Sequence, residues 1–214
     1  MSFNFATILR ESSSAHPQKP LCHLGEHTFT YAQVDEISGR IAASLRDLGV
    51  GRGDKVAVQL PNVPHLLFAY FGVLKVGAVL VPLNPLLRAP EICYHLIICD
   101  ARLLITFENS AEEAFRGAAE IDGLQTYVAK APIDAQLPAG THHFDELYFA
   151  QDTEEIEPTD ANDTAVIVYP DTAGKPKGEE LTHSELYNSC TDSGELFGFR
   201  NEDIDGQRDR CVGW

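Results

Sequence analysis

Val166-Ile167-Val168-Tyr169-Pro170-Asp171-Thr172-Ala173-Gly174-Lys175-Pro176-Lys177-Gly178 is an apolar run that stops at a polar loop containing glycine. Leu181-Thr182-His183-Ser184-Glu185-Leu186 follows and reads as the start of a helix. Strand, glycine loop, lysine, helix is a layout that holds phosphate: loop amides donate, glycine lets the backbone come close, and lysine supplies charge. No second glycine stands four residues before a Gly-Lys-Ser/Thr, so the loop is not a Walker A. Thr172, Gly174, Lys175 and Lys177 are the candidate phosphate contacts.

Working back from that loop, the chain alternates between two periods. Residues 5–10 read as a short helix, and residues 19–31 as a hairpin turning at Gly25. From Thr30, Val34, Ile37, Ile41, Leu45 and Leu48 fall on one helical face, with Asp35, Glu36, Arg40 and Asp47 off it. Gly49 closes that helix. Strands follow at 55–60, 78–82, 102–106 and 124–128, separated by helical stretches at 65–76, from Pro90 onward, and at 110–119. Repeated strand–helix–strand units predict an α/β fold with a mostly parallel, doubly wound sheet covered on both faces. The near-continuous apolar strands agree with burial on both sides. Residues 132–163 are polar, acidic and without periodicity. They read as a long surface connection with one short helix at 144–147.

A chain of 214 residues, 44% of them hydrophobic, can bury a substantial core. The formal charge of −16 argues against a basic face for nucleic acid or anionic membrane. Cys22, Cys93, Cys99, Cys190 and Cys211 are odd in number and form no Cys-x-x-Cys, which predicts reduced thiols in a cytoplasmic protein. There is no signal peptide pattern and no run of about 18 apolar residues. Neither His142-His143 nor any other cluster has the spacing of a metal site. His183 is expected only to pack beside a capping Thr182, Lys75 to snorkel from its helix end, and Glu154-Glu155-Ile156-Glu157 to be a solvated surface. Cys190 has no visible partner for nucleophilic work.

Tyr169 and Gly174-Lys175-Pro176-Lys177-Gly178, followed by Thr182-His183, resemble the phosphate loop of the adenylate-forming (AMP-binding) superfamily. That loop usually reads Tyr-Thr-Ser-Gly-Thr-Thr-Gly-x-Pro-Lys-Gly. Here Pro170-Asp171-Thr172-Ala173 replaces five residues, so one position and most hydroxyls are missing, and Asp171 adds negative charge. Phe29-Thr30-Tyr31 with the following helix resembles the family's first core motif. The run from Leu74-Lys75-Val76-Gly77 to Val81-Pro82-Leu83-Asn84 resembles the second. Leu60-Pro61-Asn62 and Pro90-Glu91-Ile92 also sit as in acyl-CoA synthetases. The resemblance spans residues 6–204, divided into a hairpin and helix (1–50) and an α/β part (51–204), with 205–214 an aberrant tail.

The resemblance implies a reaction in which a carboxylate displaces pyrophosphate from ATP and the acyl group passes to coenzyme A. ATP, Mg²⁺ and coenzyme A are its cofactors and co-substrates, and a long- or medium-chain fatty acid is the expected acid. No position of this chain matches the family's adenine-binding aromatic, magnesium-binding glutamate, ribose aspartate or C-terminal lysine. The expectation is therefore a truncated, inactive synthetase chain with no catalytic residue and no metal ligand, touching ATP weakly through Thr172, Gly174, Lys175 and Lys177. A non-catalytic remnant and one half of a split enzyme stay open beside it. The face bearing Val34, Ile37, Ile41 and Leu45 is expected to be exposed and to drive self-association.

Overall fold

The computed structural model describes residues 2–130, 137–170 and 177–197, the last five by their backbone alone. The expected aberrant tail at 205–214 and Cys211 lie outside the described residues.

Helix α1 (Thr7–Ala15) leads to an antiparallel hairpin of β1 (Pro20–Leu24) and β2 (His27–Thr30). Helix α2 (Tyr31–Asp47) then starts with a reciprocal cap. Thr30 Oγ1 accepts the Gln33 N–H at 3.3 Å, and Gln33 Oε1 accepts the Thr30 N–H at 2.9 Å. It ends at Gly49, whose φ of +78° lets the Gly49 and Val50 N–H groups reach the Arg46 and Leu45 carbonyls.

The βαβ run follows as β3 (Lys55–Gln59), α3 (Pro64–Lys75), β4 (Val79–Pro82), α4 (Ala89–Ile98), β5 (Ala101–Phe107), α5 (Ala111–Ala118) and β6 (Gln125–Ala129). After it come β7 (Thr141–His143), a 3-10 turn (Phe144–Tyr148), β8 (Thr164–Val168), β9 (Glu179–Thr182) and α6 (His183–Phe197). The sheet order is β7-β6-β5-β3-β4-β8-β9, parallel throughout except for the antiparallel β8–β9 pair. Residues alternate between two cores. Val56 and Val58 join Val34, Ile41, Leu45, Phe68 and Val73 on the α1–α2–α3 side, while Ala57 joins Ile92, Leu96, Ala114 and Ala118 on the α4–α5 side.

Five expectations are corrected. The α2 face is not exposed: Val34, Ile41 and Leu45 are buried and Ile37 partly so, because α2 lies against α3, α1 and the 3-10 turn. Lys75 does not snorkel. It is completely buried, its Nζ donating to Asp35 Oδ1 and to the Asp35 carbonyl, each at 2.6 Å. The long connection is not merely a surface path. It contributes β7, and Phe144 and Leu147 are buried in the main core. The acidic run is solvated only in part. Glu154 and Glu155 are exposed, but the Glu157 N–H donates to the Lys75 carbonyl at 2.7 Å and Ile156 packs on the core. Residues 181–182 do not begin a helix. They end strand β9, and α6 starts at His183.

Candidate active site

The hairpin between β8 and β9 carries the phosphate-loop sequence. Val168 pairs with Glu179 and Ile167 with Glu180, so residues 169–178 form its connection. Thr172, Gly174 and Lys175 lie outside the described residues. Lys177 is described and exposed, next to the exposed Glu179 and Glu180. Gly178 is a steric requirement: a Cβ there would lie 2.8 Å from Ile167 Cγ2 and 3.1 Å from Tyr169 Cε1. The Tyr169 ring packs 4.8 Å from the His95 ring, and burial pushes its hydroxyl pKa up, helped by Cys99, Tyr94 and Glu180. Glu180 accepts a hydrogen bond from Thr164 Oγ1 at 2.6 Å, which turns its carboxylate toward the strand.

A second feature shares the same edge of the sheet. Strands β3 and β5 are neighbours, yet α3 packs on one face and α5 on the other. Their carboxyl ends therefore form a switch point, where open α/β sheets place ligands. A crevice of about 300 Å³ opens there, lined by Pro61, Leu87, Arg88, Phe107, Asn109 and Ser110 among others. Beneath it a buried pair crosses the sheet: Thr106 Oγ1 donates to Gln59 Oε1 at 3.0 Å, and Gln59 Nε2 donates to the Asn84 carbonyl at 3.3 Å. Ser110 Oγ donates to the Pro85 carbonyl at 3.0 Å, tying the two loops together. Arg88 is exposed and has no ion-pair partner among the described residues. Three strand spacings separate β5 from β8, roughly 14 Å, so crevice and hairpin sit on one edge within reach of one extended ligand. This crevice is absent from the reading of the sequence, because it depends on strand order rather than on a motif.

His183, expected only to pack, is buried at 1% exposure and its Nδ1 accepts the Phe5 N–H at 3.1 Å. Thr182 does cap α6. Its Oγ1 accepts the Glu185 N–H at 3.2 Å, and its N–H donates to Glu185 Oε2 at 2.8 Å. His142 and His143 share β7. His142 stacks on Tyr127 and contacts Glu146 at 3.2 Å. Among the described residues no group of three His, Cys, Asp or Glu is placed to hold a metal. Cys22, Cys93, Cys99 and Cys190 are free thiols, Cys99 pushed up to about 11 by burial.

A profile of the AMP-binding enzyme family matches residues 9–213. The chain belongs to this family. It is 33% identical over 168 residues to 4-coumarate–CoA ligase 2 of Petroselinum crispum, covering 76% of this chain and 29% of that protein. It is 32% identical over 183 residues to crotonobetaine/carnitine–CoA ligase of Salmonella agona, covering 82% and 35%. Among solved structures, a benzoate CoA ligase from Burkholderia xenovorans superposes with a TM-score of 0.77 at 28% identity, over 88% of this chain and 36% of that one. An anthranilate CoA ligase solved with anthranoyl-AMP gives 0.82 at 23% identity, over 89% and 36%, a likeness of fold alone. The chain spans about a third of the length of each of these four proteins, and the α/β layout is theirs. No helix among its described residues is long and apolar enough to cross a membrane.

Proposed function

We propose that this chain forms the phosphate-loop portion of an ATP-dependent carboxylate–CoA ligase, and that by itself it binds ATP weakly and does not turn over. The reaction class is adenylation of a carboxylate with loss of pyrophosphate, then thioester formation on coenzyme A. The attacking carboxylate is already a nucleophile, so the protein's share is positioning and charge neutralisation. The observation that carries the reading is the β8–β9 hairpin, which leaves Lys177 exposed at the carboxyl edge of a parallel sheet. Lys177, with Thr172, Gly174 and Lys175, would hold the phosphates of ATP. Mg²⁺ would arrive with those phosphates. The crevice under Arg88 is the position for coenzyme A, whose phosphates suit an unpaired guanidinium.

Weak binding follows from charge. Between residues 171 and 180 the sequence carries Lys175 and Lys177 against Asp171, Glu179 and Glu180, a net negative charge that disfavours a polyphosphate. The acid is a fatty or aromatic carboxylic acid. Relatives named for coumarate, carnitine and benzoate favour no single chain length.

Calorimetry of the purified chain with ATP tests the first claim: weak heat that disappears in Lys177→Ala supports it. Pyrophosphate release with ATP, magnesium, coenzyme A and a fatty or aromatic acid tests the second. Release above the Lys177→Ala background would overturn the inactive reading. Co-purification with a second polypeptide that restores release would favour a split enzyme, which the one-third span also accommodates.

A further inference from the structure

We propose that His183, uncharged, is a positioning residue that latches the N-terminal segment to the base of the hairpin presenting Lys177, and so fixes that hairpin's geometry. Its bearing on nucleotide rests on the reading of the hairpin as a phosphate site.

Among the described residues β9 is the last strand of the sheet and pairs only with β8, and β8 joins β4 at the Leu80↔Val166 pair. The base of the hairpin is held from below as well. The His183 N–H donates to the Asp163 carbonyl at 3.2 Å and the Ser184 N–H to the Ala161 carbonyl at 2.9 Å. The ring Nδ1 accepts the Phe5 N–H. A backbone N–H can only donate, so Nδ1 carries no proton and the ring proton resides on Nε2.

The segment that His183 grips is itself well fixed. Asn4, buried, donates through Nδ2 to the Leu74 carbonyl at 2.7 Å and the Glu157 carbonyl at 3.0 Å, while its Oδ1 accepts the Ala6 N–H at 2.9 Å. Phe3 exchanges hydrogen bonds with Thr159 on both its N–H and its carbonyl, and its ring packs edge-on to Tyr187 of α6. Residues 3–5 therefore join α3, the 157–160 segment and α6, and the His183 side chain links them to the hairpin base.

Protonating Nδ1 would set two donors face to face and orphan a buried N–H at Phe5, which is 4% exposed. The charged groups acting on the ring are Asp163, which favours the proton, and Arg52, which opposes it. These two pair with each other. Burial outweighs both and holds the ring below its ordinary value.

The test is amide hydrogen exchange on the 214-residue chain, expressed as protection relative to intrinsic rates, with the ring nitrogens of His183 observed by NMR. Protection of the Phe5 amide and of the amides at 179–181 is expected to fall about tenfold between pH 7.5 and pH 5. His183→Asn keeps an acceptor oxygen near the Nδ1 position and does not titrate, so it should hold protection at both pH values. His183→Phe should lose it at pH 7.5. Unchanged 179–181 protection in His183→Phe, or an undiminished acid response in His183→Asn, overturns the latch. If His183→Phe does not fold, a protonated Nδ1 in the wild-type ring at pH 7.5 does the same. ATP calorimetry on the same samples separates the two readings. No ATP heat from the wild type at pH 7.5 defeats the phosphate site, while the exchange data alone decide the latch.

Discussion

Lys75 Nζ sits 2.6 Å from both Asp35 Oδ1 and the Asp35 carbonyl oxygen, with no part of Lys75 exposed. Arg10 closes the other side, its Nε 2.6 Å from Asp35 Oδ2. One carboxylate thus joins α1, α2 and α3. Asp35→Leu strands two cations and is expected to cost about 3–5 kcal/mol, whereas Lys75→Met leaves Asp35 paired with Arg10 and should cost clearly less. The double variant should recover part of the Asp35→Leu loss. Urea unfolding of the three variants checks the order.

At Gly72 α3 comes close to α2. A Cβ there would meet Ile41 Cγ2 at 2.6 Å and Ile41 Cβ at 2.9 Å. Alanine favours a helix by about 1 kcal/mol over glycine, but overpacking at a buried crossing costs about 1–3 kcal/mol. Gly72→Ala is therefore expected to lower the urea midpoint, while Gly51→Ala, with open space around the added methyl, should leave it nearly unchanged.

Two histidines are expected to make stability fall in acid. Burial lowers the pKa of both His65 and His183 from the ordinary 6.5. The unfolded chain then binds protons that the folded chain refuses, so stability is complete above about pH 6.5 and is lost as pH falls through the folded values. His65 packs tilted against Phe68 and edge-on to Phe144, with its Nδ1 buried and unpaired; Asp145 raises its pKa and Lys130 lowers it. His65→Phe should flatten part of the acid slope. Unfolding midpoints at pH 7.5 and 5 in wild type and variant check this.

Lys177 is exposed and Arg88 lines a separate crevice, so their effects should divide. Lys177→Ala is expected to abolish ATP heat and leave coenzyme A heat intact. Arg88→Ala should do the reverse. Neither should change the unfolding free energy in urea by more than about 0.5 kcal/mol, as is usual for surface changes. Paired titrations with each ligand measure this.

The βαβ core was legible because its strands are apolar and β-branched and its helices carry caps such as Thr30 and Gly49. Strands β7 and β9 were not, because Thr141-His142-His143 and Glu179-Glu180-Leu181-Thr182 have no apolar run and become strands only by pairing with β6 and β8. Asp35 and Lys75 looked like surface charges for a similar reason: each is made tolerable in the core by a partner 40 residues away. Lys177 was singled out by its motif, and it stands exposed just before β9. The crevice beside Arg88 needs the order β5-β3-β4, which no local pattern encodes.

Phe144 and Leu147 give the polar connection two fixed footholds, and the Glu157 bond to Lys75 gives it a third. Between the second foothold and the third, Phe149 stands out into solvent. Lengthening the chain there would add a harmless blister. Adding even one residue between Phe144 and Leu147 would pull a plug from the floor of the domain.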